Sequence, residues 1–174
     1  MYVSGTEPQS DTFEELAMPL FDRLYNFAYW LTQNRDETED LVQETYAKAL
    51  RGFSSYQPGT NFRAWMYRIL RNTFLTSRTG LKATMTVSLD SDENGPEPAS
   101  VSETPEAILI ERSDWQRVQS AIEDLPVASR EILLLCEVEE MSYREIAEAL
   151  SIPMATVMSR LSRARKMLAE RLRR

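Results

Sequence analysis

The chain has no histidine among its 174 residues and a single cysteine, Cys136. Those absences remove Ser-His-Asp and Cys-His catalysis, histidine metal sites, zinc clusters and disulfide scaffolds together. Five glycines and eight prolines are too few for an all-β protein full of tight turns. No apolar run approaches the ~20 residues that cross a bilayer. Met1 to Ser10 has neither a basic flank nor an apolar run, so no secretory signal is expected there. A composition of 43% apolar and 27% charged residues is nevertheless that of a globular protein. These features predict a reduced, cytoplasmic, all-α protein that makes no membrane contact of its own. No catalytic residues, cofactor or metal are expected, and an ordinary hydrolase or oxidoreductase is disfavoured.

A net charge of -7 looks wrong for a nucleic-acid binder, because neutralising phosphates takes Lys and Arg. The distribution changes that picture. Residues 61–89 hold five bases and no acid, and residues 154–174 hold seven bases against Glu170 alone. Acidic sequence separates the two blocks. A local patch sets the local potential more than the total does. Charge runs are usually solvated helix faces, but segregation this sharp, occurring twice, points to an anionic partner.

Residues 80–104 break the helical pattern with Pro96, Pro98 and runs of Ser, Asp and Glu, and read as a flexible acidic linker. Flanking it are two small helical domains, 11–79 and 105–174. In the first, Leu16, Leu20, Leu24, Phe27 and Leu31 recur at helical spacing, with Pro19 a kink. Asn34 suits the end of that helix, and Asp36 with Glu39 resembles a capping box opening the next. There Leu41, Val42, Thr45, Tyr46, Ala49 and Leu50 form one face, while Asp40, Gln43, Glu44, Ala47 and Lys48 form the other. A solvated surface and a protein-docking surface both fit that second face. After a loop, Gly52 to Asn61, a third helix spans about 62–77. Phe62, Trp65, Met66 and Ile69 take its core side. Tyr67, Arg71 and Phe74 take the opposite side with Arg68, where rings for stacking interleave with arginines for phosphates. Packing of Tyr67 and Phe74 against the first helix is an equal alternative.

In the second segment Thr104-Pro105-Glu106 reads as an N-cap with proline at the first helical position. Helices are expected to about Asp124 and from Ala128 to about Val138, and Cys136, among Leu133 to Leu135, is expected in the core. Ser142 and Glu145 make a capping box, and residues 142–168 fit a helix-turn-helix, with a second helix from Met154 to Leu172. Val157, Leu161, Ala164 and Leu168 share one stripe of it. The opposite stripe carries Ala155, Thr156, Ser159, Ser162, Arg163 and Lys166, with Arg160 and Arg165 at its edges. Short polar residues there can approach base edges and longer basic ones can reach phosphates. DNA binding is favoured over a helical hairpin with a charged tail.

Three stretches in this order resemble the extracytoplasmic-function sigma factors, the two-domain initiation subunits of bacterial RNA polymerase. They are Asp40-Leu41-Val42-Gln43-Glu44-Thr45-Tyr46, then Phe62 to Asn72, then Ser142 to Leu168. The resemblance covers about residues 11–79 and 105–172. It implies that Asp40, Gln43 and Glu44 grip the clamp helices of the largest subunit of core RNA polymerase. It implies that the loop Ser54 to Asn61, with Ser54, Ser55, Tyr56 and Asn61, captures a flipped base of the −10 element. Arg68, Arg71 and Asn72 match the rest of the −10 surface, contacting promoter DNA as a single strand. Thr156, Ser159, Arg160 and Arg163 match the helix reading the −35 element as duplex, and Lys166 shares their stripe. Alanine stands at position 155 where the family often has glycine, which bears only on −35 preference. The first segment looks most like a subgroup answering oxidative or thiol stress, held inactive by a zinc-containing anti-sigma factor. Membrane-bound anti-sigma factors also fall within what the resemblance implies. A linker of 25 residues reaches roughly 85 Å extended, against about 34 Å for a turn of duplex, so both elements are within reach. A sigma mimic that only titrates an anti-sigma factor has no need of the two basic blocks. A plain helix-turn-helix regulator leaves the Asp40–Glu44 helix unexplained.

Overall fold

We describe the chain from a computed structural model, which describes residues 11–79 and 106–174, with side chains of the second stretch from Ser113 onward. The linker 80–104 and the cap at Thr104-Pro105 lie outside the described residues. Every regular element among those described is helical. The described residues form two compact units, the first made of residues 11–79 with 148–151 and the second of residues 106–147 with 152–174.

In the first unit α1 spans Phe13–Ala17, α2 Phe21–Thr32, α3 Arg35–Gly52 and α4 Phe62–Thr79. Thr12 opens α1 through a capping box with Glu15. Pro19 sits in a single 3-10 turn, Met18–Leu20, that joins α1 to α2, as its missing N–H allows. The start of α3 differs from the sequence expectation. Its N-cap is Asn34, whose Oδ1 accepts from the Glu37 N–H at 3.0 Å, and Asp36 is already helical. Asp36–Glu39 is therefore no box, because Asn34 reaches the orphan amides two residues earlier. Gln33 ends α2 in the left-handed region, φ 54°, donating its N–H to the Tyr29 carbonyl.

α3 packs between α2 and α4. The core is Leu24, Phe27, Ala28 and Leu31 of α2, Leu41, Val42 and Ala49 of α3, and Met66, Tyr67, Leu70 and Phe74 of α4. Buried Thr38, Thr45 and Thr73 each donate to the carbonyl four residues back, at 2.7 Å, which removes the cost of enclosing a hydroxyl. Tyr67 and Phe74 therefore belong to the core, Tyr67 edge-on to Phe27 with centroids 5.1 Å apart, and neither ring is available for stacking. Phe13, Tyr46, Phe53 and Phe62 form an aromatic cluster under the α3–α4 loop. The Tyr46 hydroxyl donates to the Ala17 carbonyl at 2.7 Å; its pKa is pushed up to about 12 by burial, with the Asp22 carboxylate adding to the shift.

In the second described stretch α5 spans Glu106–Glu123, α6 Val127–Leu133, α7 Tyr143–Leu150 and α8 Met154–Leu172. The expected helix to Val138 instead changes winding, with Leu134–Val138 in π geometry. Buried Arg130 donates to the carbonyls of Ile122, Glu123 and Leu125 at 2.6 to 3.2 Å. A cation thus satisfies the orphan acceptors at the end of α5 and complements its dipole. Ser142 and Glu145 form the expected capping box, at 2.8 and 3.1 Å. α7 closes with Ser151 in the left-handed region, φ 55°, and the Ile152 N–H on the Ala147 carbonyl, a Schellman arrangement with serine where glycine is commoner. Ile132, Leu133, Leu134, Leu135, Ile146, Val157, Leu161 and Ala164 are buried.

Candidate functional site

The heptad-like apolar stripe of α3 turns inward, and its opposite side is left to solvent. Asp40, Gln43 and Glu44 are all exposed there, as i, i+3, i+4 spacing requires. Leu50 departs from its expected place. It is 61% exposed and continues the row of Gln43 and exposed Ala47 one turn further. Around the edge of α3, half-buried Tyr46 meets Phe21 at 5.7 Å, and Phe21 and Met18 are themselves exposed. An apolar margin thus runs beside the acidic residues. The reading of residues 41–50 as one apolar face missed Leu50 because 100° per residue places it nearer Gln43 than Leu41.

On its other flank α3 meets α4 along a seam holding two adjoining grooves. One, of about 420 Å³, includes Glu37, Asp40, Glu44 and Arg78, with Arg78 paired to Glu37 at 3.1 Å. The other, of about 370 Å³, is lined by Lys48, Ser55, Trp65, Ile69, Asn72 and neighbouring threonines. Lys48, Thr73 and Thr76 line both. In the second groove half-buried Trp65 supplies an aromatic surface, while Asn72 and Ser55, both exposed, supply polar edges.

The remaining loop residues divide by task. Ser54 is exposed, and Ser55 Oγ donates to the Gly52 carbonyl at 2.9 Å. Tyr56 stacks on Phe53 at 5.8 Å and leans on Trp65 at 5.2 Å, its hydroxyl donating to the Thr60 carbonyl at 2.7 Å. Asn61 Oδ1 accepts from the Ala64 N–H at 3.0 Å and caps α4. Tyr56 and Asn61 therefore hold the loop in shape, with Gly59 taking φ +86° at its tip. Arg68 and Arg71 are half-buried on α4 and line neither groove. Trp65, read from sequence as core, is the functional candidate that was missed. The signal for it was its place one turn beyond the cap residue Asn61, beneath the loop.

On α8 the expected stripe is presented outward. Ala155, Ser159, Ser162, Arg163 and Lys166 are exposed; Thr156 and Arg160 are half-buried. Ser159 Oγ donates to the Thr156 carbonyl at 3.1 Å. Arg165 is held elsewhere. Its guanidinium donates to Glu137 Oε1 at 2.7 and 3.1 Å and approaches Cys136 Sγ at 3.6 Å. Hydrogen bonds donated to Glu137 and then to Tyr143 push its pKa up further. Cys136 is half-buried, not core, because the π turn rotates it towards α8. Burial chiefly, and the Glu137 charge next, push its thiol pKa up, which disfavours the reactive thiolate.

Among the described residues no three metal-ligating side chains gather, and no helix is long and apolar enough to cross a membrane. The family models for sigma-70 region 2 and sigma-70 region 4 match residues 16–83 and 115–168 respectively. The ECF RNA polymerase sigma factor SigE of Mycolicibacterium smegmatis is 34% identical over 97% of this chain, which spans 65% of that protein's length. The ECF RNA polymerase sigma factor EcfG of Rhodopseudomonas palustris is 30% identical, with 93% of this chain and 86% of that protein aligned. Among solved structures, the sigma factor RpoE of Bartonella quintana, crystallised with the anti-sigma factor NepR, superposes with a TM-score of 0.68. It is 29% identical, and the match covers 92% of this chain and 96% of that one.

Proposed function

The chain belongs to the ECF sigma factors of RNA polymerase, and from that premise we propose that it acts as a cytoplasmic promoter-specificity subunit with no bond-making chemistry of its own. The outer face of α3, with Asp40, Gln43 and Glu44, docks on the clamp helices of core polymerase. Leu50 gives that contact an apolar centre, which interfaces need more than further charge. The −10 strand lies against α4 once melted. An extruded base enters the groove of Trp65, Asn72 and Ser55, while Ser54 and the loop framed by Tyr56 and Asn61 close over it, and Arg68 and Arg71 carry phosphates. Unstacking costs a few kcal/mol per step. Stacking on an aromatic ring returns about 1–3 kcal/mol per base, and polymerase contacts offset the remainder. α8 enters the major groove at the −35 element, Thr156, Ser159 and Arg160 facing base edges, Arg163 and Lys166 reaching bases or backbone.

An anti-sigma factor holds the free protein inactive by covering these faces, and it belongs to the zinc-containing kind. The observation that carries the reading is the seam of α3 and α4, where the exposed Asp40–Glu44 face and a groove with an aromatic surface and polar edges share two helices. Run-off transcription with purified core polymerase on a promoter-fragment library tests it. New start sites sharing a −10 and −35 pair are expected only when the chain is present. Core binding without any promoter opening would favour a sigma mimic instead.

A further inference from the structure

Among the described residues Lys48 is the single charged one lining the Trp65 groove, and it also lines the acidic groove beside it. Its Nζ lies 3.5 Å from Glu44 Oε1 and 3.4 Å from Thr73 Oγ1. The carboxylate that neutralises this one cation is thus a residue of the docking face, one helical turn before it. The Lys48 side chain is 37% exposed and that of Glu44 56%, so both ends are open to exchange partners, and a pair of this spacing is weak enough to exchange.

We propose that Lys48 is a backbone contact for the melted strand and that Glu44 mutes it until polymerase engages Glu44. The inference rests on the sigma-factor reading and adds a link between its two contacts. In the free chain the ammonium faces a carboxylate, and the groove offers an incoming phosphate little net attraction. Docking on the polymerase gives Glu44 a new partner. Lys48 then turns its full charge to the groove, where Trp65 and Asn72 await the base. Strand capture is thereby strengthened in the holoenzyme by about 1.5- to twofold, the range an exposed pair at i, i+4 can carry.

The test measures binding of a fluorescein-labelled single-stranded DNA 12-mer of randomised sequence to the full chain at low salt, by anisotropy. Glu44→Gln is expected to tighten binding about twofold, and Lys48→Gln to weaken it. In the Lys48→Gln background, Glu44→Gln is expected to do no more than Glu39→Gln, whose carboxylate pairs with Arg35 at 3.2 Å away from both grooves. Equal tightening by Glu44→Gln with and without Lys48 would overturn the proposal, since a general field effect then explains it. If the chain directs initiation in the holoenzyme but Lys48→Gln leaves strand binding unchanged, the proposal falls and the sigma reading stands. If the chain neither binds the strand nor initiates, both fall.

Discussion

The two units offer opposite kinds of surface, one concave and one convex. In the first, the candidate readers Trp65, Asn72 and Ser55 lie in a concave seam with one cation, Lys48, already opposed by Glu44. In the second, Ser159, Arg163 and Lys166 stand on the convex outside of a helix. A concavity with an aromatic wall suits a base that has left its stack, and a projecting helix suits an intact major groove. Charge follows the same division. A single strand held by stacking needs few cations in the pocket itself, whereas a duplex contact draws much of its affinity from phosphates.

The largest effect on binding that sharpens this contrast falls on docking. Leu50→Asp places a charge in the apolar centre of the proposed polymerase contact and is expected to weaken core binding by about 2 kcal/mol or more. Circular dichroism should be unchanged, because Leu50 is exposed and lies outside the core. Next comes Trp65→Ala, expected to cost about 1–3 kcal/mol in binding of a −10 single strand while leaving duplex binding intact. Tyr67→Ala makes the contrasting case on the same helix. It should destabilise the fold by about 3 kcal/mol or more through a buried cavity, read as a lower thermal midpoint. On α8, Arg163→Ala should weaken −35 duplex binding by about 1–3 kcal/mol if it reads a base, or reduce the salt slope by about 0.9 if it meets a phosphate. Arg165→Ala should leave that slope unchanged, because its guanidinium belongs to Glu137. A slope that falls with Arg165 instead would mean that the ion pair opens on DNA. The smallest effect is Ser151→Gly, which should stabilise by roughly 0.5–1 kcal/mol by relieving a left-handed serine.

What these predictions separate also shows where the sequence was readable. The stripe Val157, Leu161 and Ala164 and the box of Ser142 and Glu145 followed from spacing alone, since helix period and capping are local rules. The start of α3 was less legible because Asn34 and Asp36 both qualify as caps, and only the three-dimensional path shows Asn34 reaching Glu37. On α4, aromatic residues occur at positions 62, 65, 67 and 74, most of the way round the helix, so period could not say which ring faced out. Packing decided: Tyr67 met Phe27, and Trp65 was left beside the loop. Leu50 looked apolar and therefore internal, a one-way inference that exposed interfaces defeat. Cys136 was misplaced because a π turn has no signature in composition.

Tyr46 gives a check on the first unit that is independent of any partner. Its phenol pKa, raised to about 12 in the folded chain against 10.0 ordinarily, makes a contribution to stability that is full below pH 10 and lost as pH rises through 12. Urea midpoints should fall across that window in the native chain, and the fall should flatten in Tyr46→Phe.

The most direct measurement of the division of labour is a paired footprint of the holoenzyme on one promoter, with nuclease protection at −35 and permanganate reactivity of thymines at −10. The account predicts that Trp65→Ala keeps −35 protection but loses permanganate reactivity, and that Arg163→Ala weakens −35 protection first. A Trp65→Ala holoenzyme that opens the promoter as readily as the native one would contradict it.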